Sequence, residues 1–155
     1  MADMDPLSPE KMPVGLPSDT LATSMKLSAE AGAAQGAGRL EEAVELYKKA
    51  LESKIAHFGN EAHDETVNTR MFLGDCLTQL GKLDEANEVL EKVLKSTDSK
   101  DKELGGLDVS GRGAHTREFV GRLREAQGRW ADAESVRRRG AAKGDTICAS
   151  DEVRP

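Results

Sequence analysis

Three stretches of this chain repeat one order of apolar and polar positions: GRLEEAVELYKKAL from Gly38, GKLDEANEVLEKVL from Gly81 and GRWADAESVRRRGA from Gly128. Each opens on glycine and a basic residue, continues with a large apolar residue and two mostly acidic positions, and reaches an alanine at Ala43, Ala86 or Ala133. The copies are offset by 43 and 47 residues. In the second copy Leu83, Ala86, Leu90, Val93 and Leu94 recur at helical spacing, with Asp84, Glu85, Glu88, Glu91 and Lys92 on the other side. The glycine permits the left-handed turn that ends a preceding helix, and the small alanine lets two helices approach closely. The pattern predicts an all-α chain, an α-solenoid of three antiparallel helix pairs. The helices are expected at 18–37 and 39–57, 63–80 and 83–97, and 114–127 and 129–142. All five prolines fall outside these spans. FGNEAHDE (Phe58 to Glu65) reads as a short connection, and Ser96 to His115, with four glycines, as a long loop.

Outside the repeats, residues 1–17 read as a flexible, Pro-containing leader and 143–155 as a flexible acidic tail, leaving 18–142 as the repeat domain. The leader lacks the basic start and apolar run of a secretory signal and is too acidic for a transit peptide. No apolar run reaches the ~18 residues of a membrane span. The expected location is the cytoplasm, with the nucleus as the alternative.

Composition fits small, unbranched helical packing: 37% of the 155 residues are hydrophobic but only 3% aromatic, which argues against a large β-sandwich or barrel. The net charge of -6 argues against a general nucleic-acid binder. That charge is unevenly spread. Residues 1–111 carry 12 Lys and Arg against 21 Asp and Glu, whereas residues 112–143 carry nine against four. An acidic body therefore precedes a basic third module. Cys76 lies within a helical pattern and is expected to be buried and inert, while Cys148 lies in the polar tail; the two make no metal or redox motif. His57, His63 and His115 show no metal-ligand spacing, and the chain has neither a nucleophile elbow nor a phosphate-binding loop. No enzymatic activity, metal or cofactor is expected.

Over residues 20–142 the chain resembles the tetratricopeptide-repeat family, and more closely the longer repeat of kinesin light chains. The resemblance is carried by ALESKIAHFGNEAHDETVNTRMFLGDCLTQLGKLDEANEVL, with Ala50, Leu51, Phe58, Gly59, His63, Thr66, Leu73, Gly74, Gly81, Leu83 and Ala86 at matching places. It implies a right-handed superhelix with a concave surface built mainly from first helices, binding peptides or partner proteins. Transferred residue by residue, the concave positions are Asn68, Phe72, Asp75 and Gln79, then His115, Phe119 and Arg122. The Lys, Asn and Arg clamp with which some such domains hold a carboxylate is absent, since its places read Met25 and Ala29, Asn68 and Phe72, His115 and Phe119. The third copy departs from the pattern at Arg124, Arg137 and Gly140, as a capping unit does. Arg124, Arg129, Arg137, Arg138 and Arg139 form a candidate basic patch. The expected function is a small adaptor or scaffold with a protein or peptide partner. The alternative is a structural subunit that stacks end to end, or docks in a larger assembly, through its acidic body and basic third repeat.

Overall fold

Glycine, placed where the repeats begin, sets the architecture. Gly38, Gly81 and Gly128 have φ of 78°, 80° and 74°, a left-handed backbone that a side chain disfavours. At each, the next amide donates back across the helix end: Arg39 to the Ala34 carbonyl, Lys82 to Leu77 and Arg129 to Arg124, at 2.9, 3.0 and 2.7 Å. One turn is thus built three times, and it reverses the chain after each first helix.

The computed structural model describes residues 17–105 and 111–139. It contains α1 (Pro17–Gly36), α2 (Leu40–Phe58), α3 (Asp64–Gln79), α4 (Leu83–Glu103) and α5 (Arg112–Ala126), and α6 is helical over 130–139. No described residue is in a strand. The expected tail over 143–155 lies outside the described residues, as does the expected leader except Pro17, which starts α1.

Successive helices pack on one another from α1 to α5, and α3 also packs directly on α5. The array is therefore a stack of pairs. Ala43, Ala86 and Ala133 are at most 1% exposed, as the close approach of helices requires. Above them, Tyr47, Leu90 and Arg137 occupy equivalent places over the preceding first helix. Between α2 and α3, Phe58 stacks on His63 with ring centroids 3.6 Å apart, and His63 Nδ1 accepts from the Glu65 amide at the start of α3. The buried Lys54 donates to Glu65 and Thr69 at 3.2 and 2.9 Å, joining α2 to α3.

The long loop expected from Ser96 to His115 is corrected: α4 runs on to Glu103 and α5 begins at Arg112. Ion pairs hold these extra turns. Arg117 of α5, its side chain only 4% exposed, binds Asp101 and, at 3.1 Å, Asp98; Lys100 binds Asp64, and Arg112 reaches the same carboxylate at 2.8 Å. Burial pulls the Arg117 guanidinium towards neutrality, but Asp101 and Asp98 outweigh it and leave its pKa raised. Lys100 and Arg112 hold the Asp64 carboxyl below its ordinary range.

Candidate functional site

Asn68, Phe72, Asp75 and Gln79 recur every three or four residues along α3 and so lie on one side of it. Asp75, 5% exposed, is the hub. Its Oδ2 accepts from Gln35 of α1 at 3.0 Å and from Gln79 at 2.8 Å, while Oδ1 stands 3.5 Å from the Arg122 guanidinium of α5. One carboxylate thereby ties together the first helices of all three pairs, and these donors compensate its burial. The network continues into the core, where the Tyr47 hydroxyl donates to Gln35 Oε1 at 3.0 Å. Burial, reinforced by the neighbouring Cys76 and Asp75, pushes the Tyr47 phenol up to about 12. Burial likewise pushes the Cys76 thiol up, with Asp75 adding to it, which keeps the sulfur protonated and inert.

Beside this hub lies an aromatic row. Phe72 is 41% exposed although it stands between two other rings, Tyr47 at 6.3 Å and Phe119 at 6.0 Å. Phe119 is half-buried against the core, and the Arg122 guanidinium lies 5.3 Å from its ring centre. Phe72, Asp75, Gln79, Phe119 and Arg122 therefore come together. His115 is exposed, with its ring Nδ1 donating to the Gly111 carbonyl at 2.9 Å, and Asn68 is half-buried; neither is hydrogen-bonded to that cluster among the described residues. Gln35 and Tyr47 belong to the network yet were absent from the sequence-based set. The signal for Gln35 is its isolation as the one polar residue of AGAAQGAG.

The third pair's arginines are largely occupied by carboxylates of the same chain. Arg124, 8% exposed, takes the place of Leu77 in the second copy; it binds Glu91, Asn87 at 2.7 Å and Gln127 at 3.1 Å. Arg137 takes the place of Leu90 and reaches Glu118 at 2.9 Å as well as Glu125, pulling both carboxyls below their ordinary range. Arg129 pairs with Asp132 at 2.8 Å and Arg138 with Glu134, whereas Arg139 stands 3.7 Å from Asp98.

Among the described residues no group of three or more His, Cys, Asp and Glu is placed to hold a metal ion, and no helix is long and apolar enough to cross a membrane. A family model described as tetratricopeptide repeat matches residues 22–99, from early α1 into α4. No curated protein and no solved structure matches the chain.

Proposed function

We propose that this chain, which belongs to the tetratricopeptide-repeat family, is a non-enzymatic adaptor or scaffold that receives a peptide or protein segment on the face made by Asn68, Phe72, Asp75, Gln79, His115, Phe119 and Arg122. Such repeats are in general protein–protein interaction modules. The observation that carries the reading is Phe72, a large ring left 41% exposed while Tyr47 and Phe119 flank it. Covering it removes apolar surface from water at small ordering cost, the character of an interface hot spot. The Asn68 amide is available to a partner's backbone, and Arg122, paired with Asp75 and Glu118, keeps a half-exposed guanidinium beside the rings.

The 43-residue offset and the Phe58–His63 linker support the kinesin-light-chain form of the repeat, and the cytoplasm is the proposed location. End-to-end stacking through a basic third repeat has less support, because Arg124, Arg129, Arg137 and Arg138 already hold carboxylates of their own chain. Affinity capture with the intact chain and with Phe72→Ala plus Asn68→Ala tests the groove. Loss of capture at unchanged helicity by circular dichroism is expected, and equal capture removes this face from consideration.

A further inference from the structure

We propose that the cleft between α4 and α6 is a second binding site, for an acidic peptide segment of a partner protein with an apolar residue among its carboxylates. The cleft encloses about 710 Å³ and shares no residue with the aromatic groove. Leu94 and Val136, 7% and 5% exposed, lie at its floor and leave a small apolar patch there. Lys92 and Lys95, three residues apart on α4, both line it, and neither has a carboxylate partner among the described residues. Arg129 and Arg139, with side chains about half exposed, also line it but pair with Asp132 and Asp98 of the same cleft, so the free cations of the rim are the two lysines. Each of the three carboxylates that line the cleft is already paired with an arginine of the chain, so the two lysines are uncompensated charge on a protein of net -6. Two free lysines beside a small apolar patch fit carboxylates that flank an apolar side chain. Nucleic acid fits less well, since no aromatic side chain lines the cleft for a base to stack on.

This site does not depend on the groove reading, and one experiment separates the two. A fluorescein-labelled probe, Asp-Glu-Asp-Leu-Asp-Glu-Asp, is titrated with the intact chain by fluorescence anisotropy, alongside a Gly-Ser peptide of equal length. Binding of the acidic probe alone is expected, weakening as salt rises from about 50 to about 300 mM. Replacing Lys92→Ala and Lys95→Ala together should weaken it about fivefold, the order expected from losing two exposed ion pairs, while Phe72→Ala leaves it unchanged. Both lysines are exposed, so helicity by circular dichroism should be retained. The proposal is overturned by equal binding to the lysine variant, or by a single-stranded oligonucleotide that binds through the same lysines more tightly than the peptide.

Discussion

Leu90 of α4 lies directly on the backbone of Gly74 in α3: a Cβ at that glycine would stand 2.4 Å from the leucine Cγ. Leu90 is fully buried and has nowhere to move. Gly74→Ala should therefore destabilise the protein by about 1–2 kcal/mol, overpacking outweighing the gain in helix propensity. At the equivalent Gly121 the nearest obstacle is the Arg137 guanidinium at 2.9 Å, the end of a flexible side chain, so Gly121→Ala should shift stability by less than about 0.5 kcal/mol. Urea unfolding midpoints of the two variants decide this; equal midpoints would show that the pairs pack less tightly than described.

The ion pairs that extend α4 are unequal. Asp101 is buried beside Arg117, whereas the Asp98 side chain is 42% exposed. Asp101→Ala removes the buried partner and leaves Arg117 only the partly exposed Asp98, which should cost about 2 kcal/mol, while Asp98→Ala should cost less than about 1 kcal/mol. Thermal denaturation followed at 222 nm distinguishes them, and the reverse order would contradict the arrangement.

Tyr47 is the only tyrosine, so the pH-dependent rise in absorbance at 295 nm, above the constant background of Trp130, reports its ionisation alone. Its pKa of about 12 when folded lies above the ordinary value of about 10. The folded state therefore holds the proton longer, and this contribution to stability is full below about pH 10 and declines as pH rises towards 12. Phenolate absorbance should appear near pH 12 or together with loss of helicity. Titration near pH 10 with helices intact would place Tyr47 in solvent.

Asp64 shifts the opposite way, held low by Lys100 and Arg112. Its contribution is present above its unfolded value of about 3.9 and is lost as pH falls further through the depressed folded value. Asp64→Asn should lower the melting temperature at pH 7, and the gap from the unaltered chain should narrow once the pH is well below 4. A gap of constant size would mean that the carboxylate charge is not what matters.

Features fixed by the backbone were legible in the sequence. Gly38, Gly81 and Gly128 announce their turns because φ there is positive, and Ala43, Ala86 and Ala133 mark close helix contacts because a larger side chain will not fit. The last turns of α4 were not legible, since STDSKDKE is polar and its helix depends on Arg117, Arg112 and Asp64 from other helices. The same reason hides the role of Arg124 and Arg137. Each departs from an apolar position, and only the fold shows that Glu91, Glu118 and Glu125 meet them there. In the groove, Phe72, Phe119 and Arg122 follow from the repeat offset, whereas Tyr47 reads as core and reveals its link to Asp75 only through the Gln35 side chain.

Site-specific photo-crosslinking shows whether a partner lies on the aromatic face of the first helices. A benzophenone amino acid is placed in turn at positions 72, 119 and 88; Glu88 is exposed on the second helix α4. A captured partner should crosslink from 72 and 119 and not from 88. Crosslinking from 88 alone would contradict this placement.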